Sequence, residues 1–304
     1  MENVILIFIC LILGVGLQKL KVFPVNAPAT LNQFVIYISL PALTLYFIPK
    51  IEISHALLFP LFTSWIGFTL AYIFFTSLRK WLGWSKKLTG CLILTGGLGN
   101  TAFIGFPVVE ALFGKAGLKT AIVLDQAGTF VVMATLGILV AATHSDTMRI
   151  TGVQDIFRRV FTFPPFLAFL IASGMNLAGF DFTEDIQNVV MAICRTTAPL
   201  ALVAVGMQLK IDRKSKYWNH LSIGLFFKLV LMPAFIFTLY KVILGGKGLE
   251  TSVSIIEASM GPMVTAAVLA SAYGLKPKLA SMMIGVGIPL SFLTLDFWYW
   301  LLIL

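Results

Sequence analysis

The residues LTGGLGNTAFIGFPVVEALFG (94–114) lie inside an apolar run long enough to cross a membrane. Gly96, Gly97, Gly99, Asn100, Thr101, Gly105 and Pro107 interrupt its middle. Proline removes a backbone donor and clashes with the preceding turn. Lipid offers no water to replace the lost hydrogen bonds, so a helix broken here needs protein or a wet cavity around it. Discontinuous helices near the midplane are how many transporters build their substrate sites.

Outward from this stretch, the composition agrees. Of 304 residues, 59% are hydrophobic and 12% charged, against about 25% charged in ordinary soluble domains. The chain reads as an all-α integral membrane protein. Its net charge of +9 fits basic loops on one side of a bilayer rather than nucleic-acid binding. Cys10, Cys91 and Cys194 lie far apart in apolar segments, and His55, His144 and His220 form no cluster. Neither set has metal-ligand spacing, and no resident cofactor is expected. Glu2 precedes the first apolar run while Lys19 and Lys21 follow it, the reverse of a secretory leader's charge order.

Ten segments read as spanning helices: about 3–21, 29–48, 54–78, 88–113, 117–142, 157–180, 185–209, 218–244, 250–274 and 279–303. Basic residues concentrate in alternate loops. Lys19 and Lys21 follow the first span, and Arg79, Lys80, Lys86 and Lys87 the third. Arg149, Arg158 and Arg159 lie between the fifth and sixth, Lys210, Arg213, Lys214 and Lys216 after the seventh, and Lys276 and Lys278 between the last two. Lys50, Lys115, Lys119, Lys241 and Lys247 fall on the other side, with Asp181, Glu184 and Asp185. The excess of positive charge inside then places both termini outside; the compact form of the chain, not the charge pattern, favours a bacterial inner membrane as its location.

The polar loop at 143–156 divides the ten spans into a first repeat, 1–145, and a second, 157–304. Five spans per half require opposite orientations. Leu40-Pro41-Ala42-Leu43 in span 2 pairs with Pro199 in span 7, Pro107 with Pro262, and Phe113-Gly114 with Tyr273-Gly274, all at nearly one offset. Each break has a glycine shortly before its proline. Pro107 and Pro262 are expected to open the second halves of spans 4 and 9, because proline suits the first turn of a helix. Crossed at the midplane, such half-helices aim free backbone donors at one cavity, which suits an anion. Gly105, Pro107, Gly261 and Pro262 form the expected site, and Asn100, Thr101, Ser259 and Thr265 its side-chain donors. The competing reading is a pair of kinked helices with glycine packing faces and no ligand.

Asp125, Arg195, Lys228, Glu257 and Asp296 lie well inside predicted spans. Counting at about 1.5 Å per residue puts Arg195 and Lys228 near the midplane. An unpaired charge there costs about 2.5–3.5 kcal/mol, so each must pair or line water. Asp125 and Glu257 are the candidate proton or ion-coupling groups, and Arg195 and Lys228 the candidate cations for a substrate anion. Structural ion pairs alone are the plain alternative. Glu110 lies nearer the surface, and Asp296 nearer a helix end.

GNTAFIGFPVVEALFG (99–114), followed by LDQAGTF (124–130), resembles the auxin efflux carrier family in its short bacterial form, whose plant members are the PIN-FORMED exporters. ASMGPMVTAAVLASAYG (258–274) is a looser match. The resemblance implies two inverted five-helix repeats with crossed broken helices 4 and 9, the fold shared with bile acid symporters. It implies a scaffold of spans 1, 2, 6 and 7, a transport core of spans 3–5 and 8–10, and an elevator or rocking motion. It makes Asn100 the first candidate for contact with a mono- or dicarboxylate, auxin-like or malate-like. Glu257, in IIEASM, resembles a sodium-binding position of the symporters, which leaves sodium near Asn100 and Glu257, or a proton, as the coupling ion. A homodimer is an expectation of the resemblance alone. A ligand sensor on the same fold is the runner-up and a channel follows it. An enzyme ranks last, since no zinc, nucleophile-elbow or phosphate-loop motif is present.

Overall fold

The structure, a computed structural model, describes residues 2–20, 23–52, 54–146, 154, 161–209 and 215–303. Lys21, Arg149, Arg158, Arg159, Lys210, Arg213 and Lys214, the start of the span expected at 157, and most of the dividing loop lie outside the described residues.

The described chain is helical. In order come α1 (Glu2–Leu20), α2 (Ala27–Phe34), α3 (Leu40–Phe47), α4 (Leu58–Leu82) and α5 (Lys86–Gly97). Then follow α6 (Phe106–Val123), α7 (Ile138–His144), α8 (Pro164–Leu177), α9 (Glu184–Cys194) and α10 (Thr197–Gln208). The last five are α11 (Trp218–Phe226), α12 (Met232–Phe237), α13 (Leu249–Ala258), α14 (Val264–Ala272) and α15 (Pro277–Ile303). Several join through π-helical turns, and six helical stretches among the described residues are long and apolar enough to cross a membrane: Ala27–Lys50, His55–Leu82, Thr101–His144, Glu184–Gln208, Trp218–Ile243 and Pro277–Ile303. Ile5–Leu20 and Pro164–Leu177 are shorter apolar helices. Ile12, Ile73, Leu293 and Trp300 are exposed along these rods, as side chains facing lipid would be. This is a multi-pass membrane protein.

Gly114 divides the longest rod. Its φ of 66° and ψ of −164° suit glycine, which adopts positive φ without a Cβ clash. The chain reverses there, because Thr101 meets Asp125 and Gly90 packs on His144 on the two sides of the turn. The predicted fourth span corresponds to α5 and residues 101–113, and the ninth to α13 and α14. Both are too short to count as single long rods because each is interrupted in its middle.

Three prolines inside these stretches are absorbed by wider turns rather than allowed to break the helix. π-helical turns at Val35–Ser39, Thr101–Gly105 and Phe227–Leu231 each end two residues before a proline: Pro41, Pro107 and Pro233. The wider turn shifts the hydrogen-bond register just where the proline would clash and fail to donate.

The two ends of α4 mark the two ends of the bundle. At one end Lys50 reaches Asp181 at 3.6 Å and Gln187 at 3.0 Å, and Asn176 donates to the carbonyl oxygens of Ile48, Pro49 and Ile51. At the other, Lys87 meets Asp146 at 2.9 Å, and its hydrogen bond and charge hold that carboxyl below the usual carboxylate range. Ser145 donates to the Tyr273 carbonyl there as well. Each end gathers loops that the charge pattern assigns to one side.

α1 packs along α10 through two facing glycines. A Cβ on Gly14 would strike the Val203 carbonyl, and one on Gly206 the Leu11 carbonyl. Backbones can approach this closely only with small residues. This pair abuts the turn at Thr101–Gly105 and the start of α6, while α4 packs on α5, α13 and residues 124–130. Gly206→Leu is expected to force the seam apart at a cost of at least about 1–3 kcal/mol. Gly16→Leu, which points into open space, serves as the neutral control. Thermal unfolding of the purified variants measures both, and equal midpoints would show that the seam is not under such constraint.

Candidate functional site

The two interruptions lie against each other. Asn100 N donates to Gly261 O at 2.8 Å, and Met263 N donates to Leu98 O at 3.0 Å. Gly99 and Pro262 thereby face one another as an isolated antiparallel bridge. Each extended segment supplies the partners that the other has lost by leaving its helix, which is what allows non-helical backbone in an apolar interior. Side chains are excluded at the contact. A Cβ on Gly99 would lie 3.1 Å from Lys228 Nζ and 3.2 Å from Glu257 O, and one on Gly261 would lie 3.0 Å from Ile288 Cα.

The breaks differ in position from the expectation. The first occupies Leu98–Asn100, and the helical path resumes at Thr101, so Pro107 lies more than a turn inside the second half. The second occupies residues 259–263, with Pro262 inside the extended stretch and α14 beginning at Val264. Glycines and pairing, rather than the prolines, fix where the helices stop.

Polar side chains converge on this crossing, all of them buried. Thr101 Oγ1 donates to Asp125 Oδ1 at 2.5 Å, and Gln126 Nε2 donates to Asp125 Oδ2 at 2.8 Å. Asn100 Nδ2, Gln126 Oε1 and both carboxylate oxygens of Glu257 have no hydrogen-bond partner among the described residues. The Glu257 carboxylate presses on Gly105, where any Cβ would collide with it. Lys228, with no exposed surface, donates to Ala258 O at 3.0 Å and touches Met232 Sδ at 3.4 Å. No carboxylate oxygen among the described residues comes within 4.0 Å of its ammonium. Buried polar atoms are ordinarily paired, and four unpaired ones gather here.

Asn100, Thr101, Gly105, Asp125, Lys228, Glu257, Gly261 and Pro262 therefore share one locus. Ser259 is buried beside it, but its hydroxyl donates to Ile256 O within its own helix at 2.7 Å. Thr265 is half-buried in the first turn of α14. Arg195 is elsewhere. It is exposed at the end of α9, where Arg195-Thr196 separates α9 from α10. It lines a cavity of about 310 Å³ with Phe106, Pro107, Glu110 and Lys115. A larger cavity, about 1090 Å³, is lined by Gln18, Lys19, Asn32, Gln208, Val264 and Ser281. The smaller cavity touches Phe106, just past the turn at Thr101–Gly105, and the larger touches Val264, which opens the helix after the second break. Asp296 is exposed and apart from the crossing. Gly99 is named in the sequence reading only as one of the interrupting glycines, and Gln126 is not singled out. Gln126 could have been, as a second polar residue next to Asp125 in an apolar span.

A profile of the membrane transport protein family matches residues 1–299. An uncharacterized transporter of Methanocaldococcus jannaschii is 28% identical, covering 100% of this chain and 99% of its own length. Another, from Methanothermobacter thermautotrophicus, is 30% identical over 98% of this chain and 96% of its own length.

Thr101→Val keeps the shape of the side chain but leaves Asp125 Oδ1 without its donor, at an expected cost of about 1–3 kcal/mol. Thr101→Ser should retain most of the stability. Thermal unfolding of both variants checks this, and a valine variant as stable as the parent would mean that the Thr101–Asp125 bond does not help to hold the break.

Proposed function

Because the chain belongs to the auxin efflux carrier family of membrane transport proteins, we propose that it is a secondary transporter of small organic anions working by alternating access. The observation that carries this reading is the paired crossing of two interrupted helices, ringed by orphaned buried polar atoms. A structural kink has no use for an unpartnered Asn100 amide. A carboxylate substrate does, because hydrogen bonds to charged groups contribute about 1.5–3 kcal/mol.

In this reading the chain makes ten spans in two inverted repeats. The scaffold comprises α1, the rod Ala27–Lys50, α8 and the α9–α10 rod, and the remaining helices form the moving core. The glycine seam between α1 and α10 supports a rigid scaffold, and the two cavities, one beside Leu6 near the start of α1 and one beside Gln18 and Lys19 near its end, support access from each side in turn. Asn100 and the free backbone donors of the turn at Thr101 orient the substrate carboxylate. Gly105, Pro107, Gly261 and Pro262 shape the site, with Ser259 and Thr265 at its edge. Arg195, beside Phe106 and Pro107, draws the anion into the smaller cavity. Asp125 and Glu257 couple transport to a proton or to sodium. Mono- and dicarboxylates such as auxin, malate and malonate are the substrate class. The protein sits in the cell membrane with both termini outside, as the loop charges suggest.

Uptake of labelled malate, malonate and indole acetate into proteoliposomes, under separate sodium and proton gradients, tests this reading. Accumulation of a carboxylate driven by one gradient is the expected result. Asn100→Ala should weaken binding of that carboxylate by about tenfold or more while the protein still inserts and purifies normally. Unchanged binding by the variant would move the site away from the crossing. Binding without flux would favour a ligand sensor.

A further inference from the structure

Lys228 poses a problem that substrate binding does not answer. Its ammonium is already engaged, and what engages it is the end of a helix. α13 stops at Ala258, so its last carbonyls lack the helical donors of a following turn. Ile255 and Ile256 both accept the Ser259 amide, Ile256 accepts its hydroxyl as well, and Glu257 accepts the Met260 amide. The Ala258 carbonyl is taken by Lys228. The ammonium lies in a notch beside Gly99, the same notch that exposes the Glu257 carbonyl.

The charges around this point are two buried carboxylates, Asp125 and Glu257, and the negative end of the α13 dipole. The only cation at the crossing among the described residues is Lys228, which attracts Glu257 while Asp125 repels it. A carbonyl-ended helix with a carboxylate on its last turn, deep in apolar surroundings, requires positive charge. An oxygen-rich site of that kind could draw the charge from a bound alkali-metal ion. Here the charge arrives on a side chain, from a helix that is not part of either break.

We propose that Lys228 is a tethered cation that holds the crossing in the position a bound alkali-metal ion would otherwise take, so that neither the folded crossing nor ligand binding requires sodium. Lys228 is then a positioning residue, acting on the substrate site through the α13 end and Glu257 rather than by touching substrate. Its bearing on coupling rests on the transport reading above and removes sodium as the coupling ion; its bearing on the crossing does not depend on that reading.

The test reads thermal unfolding of the purified full chain in detergent, with no substrate added. The midpoint of the unaltered protein should be the same in sodium chloride as in choline chloride of equal ionic strength. Lys228→Ala should lower it, and either sodium or ethylammonium, small enough to enter the vacated space, should restore part of the loss where choline does not. Lys228→Met fills the space without charge, and should lower the midpoint with no restoration by either cation. Saturable stabilisation of the unaltered protein by sodium would overturn the proposal, since a separate ion site would then exist. So would a methionine variant as stable as the parent, or an alanine variant that neither cation restores. If the alanine variant yields no folded protein, the sodium comparison on the unaltered chain and the methionine variant still decide.

Discussion

Two backbone hydrogen bonds, Asn100 N to Gly261 O and Met263 N to Leu98 O, are the constraint on which the rest depends. A membrane helix that stops in the bilayer abandons donors and acceptors that lipid cannot satisfy. One such helix alone would be costly. Two that stop at the same depth and run antiparallel through their extended residues satisfy each other. The pairing demands glycine at the contact, brings the four half-helix ends together, and so concentrates dipole ends and buried charge at one point. Asp125, Lys228 and Glu257 are tolerable at such depth because that point exists.

The prolines play a smaller part than their rarity in helices suggests. Pro41 and Pro233 lie in continuous rods, each with a π-helical turn just before it, and Pro107 has the same arrangement. If proline broke these helices, all three sites would be breaks. What distinguishes the first break is the glycine run Gly96, Gly97 and Gly99 together with a partner segment across the bundle. Gly96 and Gly97 admit Phe75 and Phe68 of α4 against the end of α5. Gly287 likewise admits Pro262. Close packing around the crossing therefore uses glycine on both sides, and keeps the extended residues away from lipid.

Much of this was legible in the chain itself. The apolar runs, the reversal at Gly114 and the two interrupted spans follow from hydropathy and from residues that helices and lipid disfavour. The convergence of Asn100, Thr101, Asp125 and Glu257 was legible as polar residues at matching depth. The limits of the breaks were not, because a π-helical turn can absorb a proline and sequence alone does not reveal when it does. Nor was the separation of Arg195 from Lys228. Both count as mid-span charges along the chain, but one lies at the break between α9 and α10 and the other on a helix crossing behind the α13 end. Depth can be read from sequence; the side of a helix that a charge faces depends on partners more than a hundred residues away.

In the transport reading proposed above, that difference gives the two cations different work. Arg195 is exposed, faces a cavity shared with Glu110 and Lys115, and has a guanidinium free to meet a solute. Lys228 is sealed from solvent and bonded to backbone. A charge that must capture and release an anion has to be reachable, because binding that cannot be undone stops a carrier. A charge that steadies a carbonyl-rich helix end has to be unreachable, since water would weaken its hold. The same formal charge is thus divided by burial into one group that solutes can reach, apart from the crossing, and one sealed against the α13 end within it.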